Sequence, residues 1–250
     1  MSNSWIITFK PNRQAQVRLF CFPYAGTGVA IFRQWVEFIP SHVELCAVQL
    51  PGRENRLREP LYTRLELAVQ ACAEQLQPHL DLPYAFFGHS MGALIAFETT
   101  RNLRRRNAKM PTHLFVSGRR APQLPDPLPP LAGLPESSFL KALYLRYPAM
   151  PDILMRDPEL KQIFIPIIKA DLEMVETYAY TDDALLEMPV SCYGGLHDQT
   201  VTRSDLNAWR FQTQNRFRCE QFDGGHFYFQ QNRPLLPHAI GAELMPGFIG

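Results

Sequence analysis

Long apolar runs and paired cysteines are both absent from this sequence, and each absence excludes a class of protein. No stretch reaches the ~18 uninterrupted apolar residues of a membrane span, so we expect no membrane partner. The 5 cysteines are odd in number and contain no CxxC pair, which argues against a disulfide framework. Scattered thiols of this kind are typical of a reducing cytoplasm, where we expect the protein to reside.

An excess of charge is absent too. Lys and Arg number 25 against 24 Asp and Glu, a formal net charge of +1 that argues against nucleic acid as a partner. The first residues, "MSNSWIITFKPNR", show no basic stretch followed by an apolar core, so we expect no signal peptide. The histidines are dispersed and form no HExxH pattern, so we expect neither a metal nor a cofactor.

Short apolar runs alternate with longer segments of helical period along most of the chain. The predicted strands are 17–22, 43–50, 84–88, 113–118, 190–194 and 217–222. The predicted helices are 30–38, 65–77, 92–106, 204–214 and 234–244. This alternation predicts the α/β class, with a mostly parallel sheet covered by helices on both faces. A length of 250 residues fits one such domain over residues 1–250.

Residues 122–186 interrupt the alternation, because they begin in a proline-rich stretch and continue in amphipathic segments without a strand pattern. An insertion of ~65 residues is too long for an ordinary connection, so we expect a helical lid that shapes a pocket. A helical subdomain without that role is the alternative. The apolar residues available to line the pocket or pack the lid are Phe139, Leu143, Ile153, Leu154, Met155, Phe164, Ile167 and Met174.

The segment "YAFFGHSMGALIAFE" carries the strongest motif of the chain. Ser90 lies between Gly88 and Gly92, after a predicted strand and before a predicted helix, which is the context of a nucleophile elbow. In so tight a turn a Cβ atom two residues to either side would clash, and glycine removes both clashes. We therefore predict that Ser90 is a nucleophile.

A serine nucleophile needs a base that is oriented by an acid, and in this architecture the chain order is nucleophile, acid, base. Asp198 follows the predicted strand 190–194, and His226 follows the strand 217–222. We predict Asp198 as the acid and His226 as the base. Asp205 is the alternative acid and His197 the alternative base.

An oxyanion hole is the second requirement of this chemistry. One donor is expected to be the amide after the nucleophile, which belongs to Met91. The other should come from the loop "PYAGTG" after strand 17–22, where we choose the amide of Ala25, with Gly26 next. The same loop is not a dinucleotide fingerprint, because Ile31 replaces the third glycine of GxGxxG.

Five segments in order resemble the type II thioesterases of nonribosomal peptide and polyketide synthesis, a group that includes the medium-chain thioesterases of fatty acid synthesis. They are "FCFPYAGTGVAIFRQW", "LPGRENR", "FFGHSMGALIAFE", "VSCYGGLHDQTV" and "FDGGHFYF". The resemblance implies an α/β-hydrolase fold with a helical lid. It also implies hydrolysis of acyl groups from the phosphopantetheine thiol of an acyl- or peptidyl-carrier protein, without a cofactor.

By the same resemblance, the family's catalytic serine, aspartate and histidine correspond to Ser90, Asp198 and His226, and its oxyanion amides to Ala25 and Met91. The first loop departs from the family pattern, which commonly reads His-Ala-Gly-Gly where this chain has residues 24–27, Tyr-Ala-Gly-Thr. If position 27 requires a positive φ, a threonine there is strained.

Two other kinds of function are alternatives to thioester hydrolysis. A carboxylester hydrolase or an acyltransferase would keep the three side chains and change the substrate, whereas a carrier-binding module would need none of them. The basic segment 101–109 is either a docking surface for an acidic carrier or a solvated helix end. Arg53 and Glu54 are interpreted as an ion pair that fixes a loop, and the protein is expected to be a monomer.

Overall fold

A single seven-stranded sheet organises the computed structural model, which describes residues 5–150 and 156–245. The strands are β1 (Ile6–Thr8), β2 (Val17–Phe22), β3 (Val43–Val48), β4 (Tyr84–His89), β5 (His113–Ser117), β6 (Val190–Gly195) and β7 (Phe217–Phe222). Their order across the sheet is β1-β3-β2-β4-β5-β6-β7. All neighbouring strands are parallel except β1, which runs antiparallel to β3. The predicted α/β class is confirmed.

The helices cover this sheet. They are α1 (Leu65–Leu76), α2 (Met91–Arg105), α3 (Glu136–Arg146), α4 (Pro158–Glu176), α5 (Arg203–Asn207), α6 (Tyr228–Gln231) and α7 (Leu235–Glu243). The predicted helix 30–38 is instead a 3-10 helix, Val29–Glu37. Its buried residues Val29, Phe32 and Trp35 are spaced by three, which places them on one side of a helix with three residues per turn.

Each face of the sheet has its own apolar layer. Phe20 and Phe86 pack with α1 and α2 on one face, whereas Leu19 and Phe87 pack with the 3-10 helix and α7 on the other. Because successive side chains of a strand point to opposite faces, a strand covered on both sides is apolar throughout. Every residue of β4 is accordingly buried, and the strand is held rigidly where its carboxyl end meets α2.

The described part of residues 122–186 contributes α3 and α4 and no strand of the sheet. It has a small apolar cluster of its own, which includes Phe139, Leu143 and Ile168. Met174 packs into the main core instead. Three residues that were expected to face the pocket or pack the lid, Ile153, Leu154 and Met155, lie outside the described residues. Among the helices described, none is long and apolar enough to cross a bilayer.

Candidate active site

Ser90 occupies a one-residue turn between β4 and α2. Its backbone has φ 53° and ψ −113°, a conformation that a residue with a side chain rarely adopts. A Cβ on Gly88 would lie 2.1 Å from the carbonyl oxygen of Gly92, and a Cβ on Gly92 would lie 2.1 Å from that of Phe22. Both glycines are therefore required by close backbone approach, and the turn has the geometry that the motif predicts.

His226 and Asp198 lie together at the same edge of the sheet. The distance from His226 Nδ1 to Asp198 Oδ2 is 2.8 Å, and the two side chains are 7% and 1% exposed. Asp198 follows β6 and His226 follows β7, and the carboxyl ends of parallel strands open on one edge. Since Nδ1 donates to the carboxylate, Nε2 is the ring nitrogen that remains for a hydroxyl or a substrate.

Asp198 has a second set of donors, which the sequence analysis missed. Its Oδ1 accepts from the amide of Thr200 at 2.8 Å and from the hydroxyl of Thr200 at 2.7 Å. Burial alone would raise the pKa of Asp198, but the hydrogen bond and charge of His226, together with the Thr200 donors, lower it below its usual value. The Asp-x-Thr spacing is a signal for such a local turn.

The loop after β2 approaches Ser90 from the neighbouring strand. The Thr27 amide donates to the Tyr24 carbonyl, and the positive φ of 79° falls on Gly26, as in a type II turn. The strain considered for Thr27 therefore does not arise, because the glycine carries the left-handed conformation. The Gly26 amide donates to a carboxylate of α4 at 2.8 Å. Of the two loop amides considered for the oxyanion hole, that of Gly26 is therefore engaged, whereas that of Ala25 has no acceptor among the described residues.

A cavity of about 270 Å³ connects these groups. Ser90, Met91, Ala25 and His226 lie along its wall, and the ring of Tyr147 packs against that of His226 with centroids 5.0 Å apart. Apolar side chains from α3 and α4 also line the cavity, and they include Leu143, Leu160, Phe164, Ile168 and Leu172. The site therefore combines a few polar groups with a largely apolar lining, which suits a carbonyl attached to a hydrocarbon chain.

The alternative base His197 and the alternative acid Asp205 are engaged elsewhere, as is His89, the histidine that precedes Ser90. His197 is exposed and contacts Asp223 at 3.1 Å. His89 is buried against the Ser117 hydroxyl, and burial, with the nearby charge of His226, holds its pKa well below the usual value. Asp205 caps α5 and pairs with Arg120 at 2.7 Å.

The loop-fixing role suggested for Arg53 and Glu54 is realised with different partners. Arg53 pairs with Asp171 of α4 at 2.6 Å, and Glu54 accepts from the Ala30 amide at 3.1 Å. The two were interpreted as a pair with each other, and that interpretation is wrong, because the Glu54 side chain points to the 3-10 helix.

Most basic side chains of the segment 101–109 make contacts with other parts of the protein. Arg101 pairs with Glu98 at 2.6 Å, Arg105 pairs with Asp183 at 2.9 Å, and Lys109 donates to three backbone carbonyls. These cations stabilise the end of α2 and the chain around it. Arg105, Arg106 and Lys109 are nonetheless exposed, as expected of a solvated helix end.

A family model described as the thioesterase domain matches residues 17–242. The gramicidin S biosynthesis protein GrsT of Aneurinibacillus migulanus is 41% identical, over 92% of this chain and 90% of its own. RedJ, a thioesterase of the prodiginine pathway in Streptomyces coelicolor, superposes with a TM-score of 0.85 at 36% identity, over 92% of this chain and 86% of its own. YbtT, a type II thioesterase of the yersiniabactin pathway, has a TM-score of 0.84 at 28% identity, over 95% and 96%.

These matches extend over nearly the whole chain and include the strands and loops that hold the site. They confirm the resemblance to type II thioesterases and the α/β-hydrolase fold. The chain therefore belongs to the thioesterase domain family, and it is a thioester hydrolase.

Proposed function

We propose that this enzyme releases acyl groups from the phosphopantetheine thiol of acyl- or peptidyl-carrier proteins in nonribosomal peptide, polyketide or fatty acid synthesis. YbtT is described as a type II thioesterase of an NRPS/PKS pathway and GrsT as a gramicidin S biosynthesis protein, and both align with most of this chain. One observation supports the mechanism above all: Ser90, on a strained turn, and His226, paired with Asp198, open on the same cavity.

In this mechanism Ser90 is the nucleophile, His226 the base and Asp198 the acid that orients the imidazole. The Ser90 Oγ bonds to the thioester carbonyl carbon while its proton passes to His226 Nε2. The C–S bond then breaks, and the thiol leaves with that proton. Water loses a proton to His226 and attacks the acyl–serine ester, so that the carboxylic acid departs and Ser90 recovers its hydrogen.

The amides of Met91 and Ala25 are proposed to bind the oxyanion. Met91 begins α2, and the first amides of a helix have no partner within it. Both residues line the cavity beside Ser90. Two such donors stabilise the negative charge that develops on the carbonyl oxygen in each tetrahedral intermediate.

Residues 122–186 are proposed to act as a lid within a single domain spanning 1–250. The supporting observation is that α3 and α4 supply apolar side chains to the wall of the cavity that Ser90 also lines. An acyl chain placed along this wall would leave water and remain beside the nucleophile.

The protein is further proposed to act as a monomer in the cytoplasm. All five cysteines are free, and four of them are buried. Burial raises the pKa of the Cys72 thiol to about 12 and that of Cys46 to about 11, so these thiols stay protonated and unreactive at neutral pH.

Intact-mass analysis of acylated carrier proteins tests the proposed function. Wild-type enzyme should return a panel of acyl-carrier proteins to the free thiol form, and Ser90→Ala should slow this by at least about a thousandfold. Matched oxygen esters should be poorer substrates than thioesters. Turnover that persists in Ser90→Ala would remove this residue from the mechanism, and a preference for oxygen esters would favour a carboxylester hydrolase.

A further inference from the structure

A buried ion pair joins the inserted helix α4 to the loop that follows β3. Asp171 of α4 accepts from Arg53 Nη1 at 2.6 Å and from Arg53 Nη2 at 2.8 Å. The two side chains are 0% and 4% exposed. A bidentate ion pair of this kind fixes both the distance and the relative orientation of the two side chains. Removing either partner would leave the other charge buried and unpaired.

The same pair also holds the turn after β2. Asp171 Oδ2 accepts from the Gly26 amide at 2.8 Å, while Arg53 Nη1 donates to the Thr27 carbonyl at 3.2 Å. The carboxylate thus binds an N–H of the turn, and the guanidinium binds a C=O of the same turn. Asp171 and Gly26 are 145 residues apart in sequence, so only the docked position of α4 brings them together.

Packing adds to these hydrogen bonds. A Cβ on Gly26 would lie 2.5 Å from Ile168 Cγ1, one helical turn before Asp171. Helix α4 therefore rests directly on the turn, and Gly26 serves both the positive φ and the close approach of the helix. The Ala25 amide precedes this clamped peptide, and Ala25 lines the cavity together with Met91.

We infer that Asp171 and Arg53 are positioning residues that hold the Ala25 amide in its oxyanion-binding orientation, and that they do so only while α4 is docked. Because Asp171 belongs to α4, the position of this helix is coupled to the geometry of the oxyanion hole. This inference rests on the proposed function, since it assumes that Ser90 attacks the carbonyl and that Ala25 binds the resulting oxyanion.

The test compares Asp171→Asn with Glu98→Gln, which neutralises another buried carboxylate, one that pairs with Arg101 at 2.6 Å and accepts from Tyr178 rather than from the turn. Asp171→Asn should lower kcat by roughly tenfold to a hundredfold with KM nearly unchanged, because a donor used chiefly in the transition state is misplaced. Its affinity for an acyl trifluoromethyl ketone, which forms an oxyanion on a serine, should fall by a similar factor. Binding of the matched acyl thioether, which forms no oxyanion, should not change.

Glu98→Gln should lower the melting temperature and leave all three readouts at wild-type values. If Asp171→Asn does not fold, the double variant Arg53→Met/Asp171→Leu provides the readout, because it replaces the pair by apolar side chains and still lacks an acceptor for the Gly26 amide. Equal kcat and equal ketone affinity in a folded Asp171 variant and the control would overturn the inference. A wild-type enzyme that forms no ketone adduct on Ser90 would instead overturn the proposed function.

Discussion

Asp198 is held by donors on both of its carboxylate oxygens, and this arrangement fixes its partner His226. The amide and the hydroxyl of Thr200 donate hydrogen bonds to one oxygen, and the imidazole of His226 donates to the other. The lowered pKa keeps the carboxylate charged at neutral pH, so His226 keeps its proton on Nδ1 and presents Nε2 as the base. Ser90 and His226 were predicted from motif and chain order, whereas Thr200 was missed, although its spacing from Asp198 is a signal for such a turn.

Replacement of Asp198 by asparagine tests this arrangement, with Asp205→Asn as the matched control. Asp198→Asn should reduce kcat by roughly three to four orders of magnitude, because an amide favours the wrong tautomer of His226. Asp205→Asn weakens the capping box of α5 and removes the charged partner of Arg120, so it should reduce stability and leave kcat close to wild type. Steady-state kinetics on one acyl thioester distinguish the two, and a larger loss of kcat in Asp205→Asn would reverse the assignment of the acid.

At the scale of elements, the short-range patterns were predictable and the long-range contacts were not. The change from an apolar run to a helical period at Ser90 predicted the end of β4 and the start of α2, because the signals for both lie in adjacent residues of the sequence. Strand β1 was missed, since its three half-buried residues carry too little pattern. The docking of α4 on the turn after β2 was also missed, because it depends on packing between distant segments.

The proposed lid predicts a dependence on acyl chain length that can be measured with Phe164→Ala. Phe164 lines the cavity, whereas its neighbour Ile163 is exposed and provides the control Ile163→Ala. Loss of the phenyl contact should lower kcat/KM by roughly tenfold for the chains long enough to reach it, because apolar burial is lost, and should leave acetyl unaffected. An acetyl-to-decanoyl series of N-acetylcysteamine thioesters gives the profile. An equal effect on all lengths, or the same profile in Ile163→Ala, would contradict the lid proposal.

The molecule as a whole buries two histidines in neutral form, which ties its stability to pH. His113 stacks on Phe115 and contacts the Ser191 hydroxyl at 2.9 Å, and burial lowers its pKa from 6.5 to about 4. The pKa of His89 is lowered in the same direction. A histidine with a lowered pKa in the folded state stabilises the protein fully above its unfolded pKa, and this contribution is lost as the pH falls toward the folded value.

The free energy of unfolding should therefore decrease as the pH is lowered from 6.5 to about 4, the window set by the pKa of His113. His113→Gln should remove the proton that His113 takes up on unfolding. The slope of the unfolding free energy against pH should then decrease by about 1.4 kcal/mol per pH unit. Urea denaturation across the window measures the two slopes. Parallel curves for wild type and His113→Gln would show that His113 is not held neutral by the fold.

Labelling with a fluorophosphonate, followed by peptide mapping, tests the identity of the nucleophile most directly. The wild-type enzyme should carry one adduct, on Ser90, and lose thioesterase activity in proportion to labelling. His226→Ala should label far more slowly, because the hydroxyl has lost the base that activates it. An inactivated enzyme whose adduct lies on another residue, or a His226→Ala variant that labels at the wild-type rate, would contradict catalysis by the Ser90–His226–Asp198 set.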